Sequence, residues 1–198
     1  MRLSLALLGL LVLLSSCFVS SSLHFSEADI DGAHNLIRNH SFDPHLIRGT
    51  ESLPGWTLKI EPHNADYDKV VIDAQTSSDG GNSLKISASD KDVLIISEPF
   101  DVRRYGGYFA KISAKSDSPN PPKIQFRMIT FKEQGKITNR FKEKYILNDE
   151  WQDLHLSAGF LRPGVRFGRI FVHIPPFEEG SIWLDNAGCW EVHGFRID

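Results

Sequence analysis

The chain has 198 residues, 41% of them hydrophobic, with a formal net charge of −3 and a mean hydropathy of −0.22. That length fits one ordinary domain, and the composition is that of a globular body rather than a disordered or fibrous one. A slightly acidic chain without a basic stripe argues against a nucleic-acid partner.

At the start, Met1 and Arg2 precede an apolar run from Leu3 to Leu14. The run is too short to span a bilayer and has the flanks of an export signal. It ends in Leu14-Ser15-Ser16-Cys17. This stretch resembles the bacterial lipobox, where a signal peptidase cuts before a cysteine that carries diacylglycerol. Residues 1–16 are therefore expected to be a lipoprotein signal peptide, Cys17 the lipidated residue, and 17–33 a tether with little periodicity. The alternative is an ordinary cleavable signal in which Cys17 is incidental. No Asp follows Cys17, so the resemblance implies a lipid anchor in the outer membrane or on the surface of a Gram-negative bacterium. Cys189 is then alone, which excludes an intramolecular disulfide, and it reads as a small buried apolar residue. Without a disulfide, an exported domain must be stabilised by its core or by a metal.

Residues 34–198 form the expected body, written almost wholly in period two. Ser83–Ala88, Tyr108–Lys115, Lys123–Phe131 and Arg169–Ile174 each alternate apolar and polar residues. Alternation of this kind marks strands with one face in a core and the other wet. Turn chemistry separates them at Ser78-Asp-Gly-Gly-Asn82, Ser116-Asp-Ser-Pro-Asn-Pro-Pro122, Arg162-Pro-Gly164 and Pro175-Pro176. No segment predicts a long amphipathic helix. Many short strands at this spacing predict an all-β antiparallel sandwich of the jelly-roll kind.

Five short motifs occur in a recognisable order: Asn35-Leu-Ile-Arg-Asn-His-Ser-Phe-Asp43 with Leu53-Pro-Gly-Trp56, then Gly81-Asn-Ser-Leu-Lys85, Tyr108–Lys115, Trp151-Gln, and Ile182-Trp-Leu-Asp-Asn186. Together they resemble the carbohydrate-binding modules of families four, nine and twenty-two, which are galactose-binding-like jelly rolls. His40 stands where those modules usually have Gly, and Asp43 where Glu is commoner. The resemblance implies non-catalytic binding of a polysaccharide or oligosaccharide, with envelope or glycan-degrading proteins as further partners. The alternative is an envelope module whose ligand is a protein. Trp56 and Trp151 fall at positions that the resemblance makes scaffold.

Asp185 lies in what otherwise reads as a core-bound strand, where an unpaired carboxylate costs several kcal/mol or gives up its charge. The resemblance implies a structural calcium held by Asp43, Asp185 and a donor from the turn around Ser83. Two carboxylates with backbone carbonyls suit calcium's preference for hard oxygens. The other reading is a β-bulge at which Asp185 accepts bonds from backbone N–H groups. Either way an irregularity is expected, because Ile182 and Leu184 share one parity while Ala187 and Cys189 share the other. The histidines His34, His40 and His45 match no zinc pattern.

For a sugar ligand, the binding face must be a wet sheet face with aromatic platforms and hydrogen-bonding side chains. Parity assigns to it Phe109 and Lys111, with Ser113, then Gln125, Arg127 and Phe131, then Arg169, Phe171 and His173. The other reading is a solvated face with the phenylalanines under a loop. No paired carboxylates of a hydrolase fall on these strands, Glu143 standing alone. The enzymatic alternatives are a polysaccharide lyase, for which His173 with Arg127 and Arg169 would serve, and a glycoside hydrolase.

Overall fold

The computed structural model describes residues 23–47, 50–61 and 67–193. Thirteen strands run through them in chain order, with short 3-10 turns at Glu27–Ile30 and Tyr67–Lys69 and no α-helix among the described residues. The early strands are β1 (His45–Ile47), β2 (Thr50–Ser52), β3 (Trp56–Glu61), β4 (Val70–Asp73), β5 (Ser83–Ser89), β6 (Asp92–Ser97) and β7 (Phe100–Asp101). The later ones are β8 (Tyr108–Ser116), β9 (Lys123–Phe131), β10 (Ile137–Ile146), β11 (Gln152–Ala158), β12 (Phe167–Ile174) and β13 (Phe177–Glu191). Sheet I has the order β10-β9-β12-β6-β3, with β7 also on β12, and sheet II the order β11-β8-β13-β5-β4. All these pairings are antiparallel, and β1 with β2 makes a separate hairpin.

Alternation decides which face each strand buries. In β9, Ile124, Phe126, Met128 and Thr130 are buried while Gln125, Arg127, Ile129 and Phe131 are only partly so. β12 repeats this with Ile170, Val172 and Ile174 inside. Sheet II faces them with Ile112 and Ala114 of β8, Leu154 and Leu156 of β11, and Ile182 and Leu184 of β13. Each large apolar side chain taken fully out of water contributes about 1.5–3 kcal/mol, so this one interlayer core carries most of the driving force.

β13 contains the irregularity that its parity requires. Its register with β8 shifts between Asp185 and Gly188, and Asn186 has φ 47°. The extra residue turns the strand over, so Ile182 and Leu184 before it and Ala187 and Cys189 after it all reach the core. Cys189 is fully buried, and burial pushes its thiol far up from the ordinary value. Gly188 lies beneath the Trp190 ring, where an added Cβ would come within 1.8 Å of the indole. Gly188→Ala should therefore lift Trp190 off its seat and cost about 1–3 kcal/mol in urea unfolding.

The segment expected to be a tether, 17–33, is bonded to the body from Phe25 onward. Phe25 N donates to Ser157 Oγ at 2.9 Å, Glu27 pairs with Lys111 at 2.7 Å, and His193 N donates to the Asp29 carbonyl at 3.0 Å. Polar side chains without helical or strand periodicity hid this docking, because it rests on single long-range contacts rather than on a pattern. Residues 1–16 and Cys17 lie outside the described residues.

Candidate functional site

The outer face of sheet I gathers most of the side chains that parity selected. Cα pairing builds rows across the strands: Lys142, Arg127, Phe171, Ile96 and Thr57 form one, and Lys144, Gln125, His173, Leu94 and Lys59 the next. A third row holds Arg140, Ile129 and Arg169, and a fourth has Phe131, Phe167 and Asp101. Five strands at about 4.8 Å spacing make such a row roughly 19 Å wide. Phe171, Ile129 and Leu94 are partly buried and form an apolar floor, with Ile96 below them. Polar side chains stand around this floor. His173 Nε2 lies 2.6 Å from Asp92 Oδ1, Arg169 donates to the Ser97 carbonyl at 3.4 Å, and Arg127 donates to Gln125 Oε1 at 2.5 Å. Phe131 and Phe167 stack on each other at 5.1 Å between centroids, close to parallel. Beyond them an open depression of about 590 Å³ is lined by Arg103, Arg104, Arg166, Glu133 and Asp101. Two buried nitrogens of this face, Arg127 Nε and His173 Nδ1, have no hydrogen-bond partner among the described residues.

Phe109 and Lys111 do not belong to this face, which corrects the single surface expected from parity. Both lie on the outer side of sheet II, because β8 pairs with β11 and β13 rather than with β9 or β12. Phe109 is fully buried there under Trp190 and His155, with ring centroids at 6.4 and 5.3 Å. Lys111 sits between Glu27 and Asp153 at 2.7 and 3.4 Å. Burial opposes its charge, yet the bond to Glu27 and the charge of Asp153 hold its pKa above the ordinary value. Ser113 is buried on the same side and donates to Asp153. Alternation reports the parity of a strand but not the sheet it joins.

Conversely, Ile129, Leu94, Phe167 and the lysines of β10 were not selected from sequence. Phe167 shares the parity of Arg169 and could have been found by extending that strand by two residues. The β10 lysines needed the register against β9. Glu143 is exposed on the edge strand opposite Phe126, on the other parity from Lys142 and Lys144. Asp92 has Glu61 opposite it in the register of β3 and β6, and Asp101 shares the far depression with Glu133; Asp92 and Asp101 themselves sit about eight residues of strand rise apart, roughly 25 Å. A hydrolytic pair needs about 5–9.5 Å, so they do not make one.

Asp185 is fully buried and its carboxylate is met by three donors. Ser78 N and Oγ donate to Oδ2 at 2.7 and 2.8 Å, and Asn186 N donates to Oδ1 at 2.6 Å. No cationic side chain among the described residues pairs with it. Burial therefore outweighs these bonds and raises its pKa above the ordinary carboxylate value. Asp43 also reaches the 76–82 turn, where its Oδ1 accepts from Asn82 Nδ2 at 2.8 Å. Ser83 Oγ is buried and donates to the Thr76 carbonyl. Asp43, Ser83 and Asp185 thus meet one turn. Their fit to calcium is partial, since N–H and O–H donors aim at the very oxygens an ion would bind.

The link between the first motif and the closing strand is made by hydrogen bonds. Asn35 Oδ1 accepts from Cys189 N at 3.1 Å and from Ile37 N at 3.0 Å, while its amide donates to the Ala187 carbonyl. Ala187 N in turn donates to the His40 carbonyl at 2.8 Å. Asn39, at φ 53°, clamps the Asp43 backbone and accepts the Trp56 indole N–H on its carbonyl at 2.9 Å. Trp56 stacks on buried Phe42 at 4.9 Å, so its role is scaffold.

No protein-family model matches the sequence, and no curated protein does. Solved structures do match the fold. The enzymatically active domain of a tailspike protein from bacteriophage CBA120 aligns with TM-score 0.61 at 15% identity, over 80% of this chain and 21% of that one. A family-61 carbohydrate-binding module, in complex with β-1,4-galactotriose, aligns with TM-score 0.60 at 12% identity, over 80% of this chain and 99% of the module. The xylan-binding family-22 module of Paenibacillus barcinonensis Xyn10C gives 0.53 at 14% identity, over 81% and 96%. The likeness at these identities is one of fold: the body is an all-β, two-sheet jelly roll of the kind found in carbohydrate-binding modules.

Proposed function

We propose that this protein binds a polysaccharide without acting on it, through the outer face of sheet I. The observation that carries the reading is the three adjacent central rows, where Phe171, Ile129 and Leu94 form a half-exposed apolar floor ringed by Arg127, Gln125, Arg169 and His173. Sugar rings offer apolar C–H faces to such a floor and hydroxyls to such a rim. Modules of similar fold crystallised with galactotriose, or described as xylan-binding, support the class of ligand.

The test is methyl-detected NMR during titration with a panel of soluble polysaccharides. Leu94, Ile96 and Ile129 should shift in a saturable way, while Val71, exposed on sheet II, should not. Shifts confined to Val71 and its neighbours would move the site to sheet II. A panel without any responding glycan would leave a protein partner as the ligand.

Calcium at Asp43, Ser83 and Asp185 is part of the same proposal, supported by a buried carboxylate that no cationic side chain among the described residues pairs with. An ion there would displace the Ser78 donors. Melting should then rise with excess calcium over EDTA, and Asp185→Ala should abolish the rise. An unchanged midpoint would mean that Ser78 and Asn186 alone satisfy the group. Lipid anchoring at Cys17, on a bacterial surface, completes the proposal; palmitate labelling that Cys17→Ser abolishes would support it.

A further inference from the structure

We propose that the polysaccharide bound by the outer face of sheet I is an acidic one. The proposal rests on the reading of that face as a sugar site and names its ligand class. The chain as a whole is negative, with a net charge of −3. This face is not. Lys123, Arg127, Arg140, Lys142, Lys144 and Arg169 project from the neighbouring strands β10, β9 and β12, and Lys59 stands in the row of Leu94. Against them stand Asp92, already bonded to His173, with Glu61 opposite it in the register of β3 and β6, and Asp101 and Glu133 at the far end of the sheet. Cations separated by one or two residues along each strand are gathered into a field by the register of three strands, which is why the linear sequence shows no basic stripe.

Charge alone makes a solvated surface, but the centre of the field carries a second signal. Arg127 Nε is buried and has no acceptor among the described residues, although the same guanidinium donates to Gln125. A buried donor without an acceptor is costly, and a guanidinium prefers the two-oxygen fork of a carboxylate or sulfate. Arg127 pairs across the strands with Phe171 on one side and Lys142 on the other. A sugar ring lying over Phe171 would therefore hold its substituents next to Arg127. An anionic substituent there, on a uronic acid or a sulfated sugar, meets the unsatisfied N–H and the lysines beyond it. Phe131 and Phe167 stack on each other rather than standing apart, which leaves few free platforms for a run of nucleic-acid bases.

The experiment is affinity measurement on the whole protein with matched polymers. Polygalacturonate supplies carboxylates, its methyl ester keeps the backbone without the charge, and dextran sulfate supplies sulfate. Oligothymidylate tests the nucleic-acid alternative. At 50 mM NaCl one of the two acidic glycans should bind about tenfold or more tightly than the uncharged ester, and which of them does identifies the anion. Raising NaCl to 300 mM should narrow that gap. Arg127→Gln should abolish the preference and Arg127→Lys should keep part of it, with the melting temperature of each variant checking the fold. Equal affinity for polygalacturonate and its ester, with no gain on dextran sulfate, would overturn the acidic class while leaving sugar binding intact. Absence of binding to any glycan would sink both readings together. Preference for oligothymidylate over every glycan would overturn the proposal in favour of a single-stranded nucleic acid.

Discussion

Asp185→Ala should lower the stability of the protein by about 2–4 kcal/mol, measured by urea unfolding. The substitution removes an acceptor from three donors at once: the N–H and hydroxyl of Ser78 and the N–H of Asn186. Asn186 N lies within the bulge of β13, where its φ of 47° is held by that bond and by the neighbouring pairs. Losing the anchor would free the 76–82 turn and loosen the step that turns β13 over, so the effect should spread to the burial of Ala187 and Cys189. The pH dependence has a definite sign. The folded-state pKa of Asp185 is raised, with burial as the largest cause. A raised carboxyl pKa means a penalty present above that pKa and relieved as pH falls through it towards the unfolded value of 3.8. The gap between wild type and Asp185→Ala should therefore widen as pH falls from 7 towards about 4. A gap that narrows on acidification would mean that the ionised carboxylate is better stabilised than burial allows, as by a bound cation.

Phe171→Ala should weaken polysaccharide binding by at least about tenfold while leaving the melting temperature nearly unchanged. Phe171 is the aromatic at the middle of the sheet I rows, between Arg127 and Ile96, and only partly buried. Its ring belongs to the floor of the site on the outer face, while Ile170 and Val172 of the same strand fill the interlayer core. The combination of lost affinity and kept stability separates a platform from a core residue. Equal affinity in the variant would shift the platform to Phe131 and Phe167 at the next edge of the face. Phe109→Ala makes the contrast, because that ring is fully buried beneath Trp190 on sheet II. It should cost stability first.

Much of the sandwich could be read from residue order because alternation is local. β5, β8, β9 and β12 fall close to where the period-two runs place them, and the irregularity in β13 follows from two parities meeting at Asp185. What could not be read is set by pairing between distant strands. Phe109 and Arg127 look alike in sequence, each on the wet parity of an alternating run, yet one joins sheet II and the other sheet I. The lysines of β10 become neighbours of Arg127 only through register. The motif residues Asn35 and Asn39 carried a family likeness without a physical role until the bonds to Ala187, Cys189 and Trp56 supplied one. The docked segment after Phe25 had no periodic signal to find.

That docked segment has a consequence for orientation. Phe25 and Glu27 rest on Ser157 and Lys111, both on the outer side of sheet II. The chain at Phe25 therefore lies on the rear of the sandwich, with the whole thickness of the domain between it and the Arg127 face. A surface against which that rear rests would leave the cationic rows turned away from it and open to long polymers.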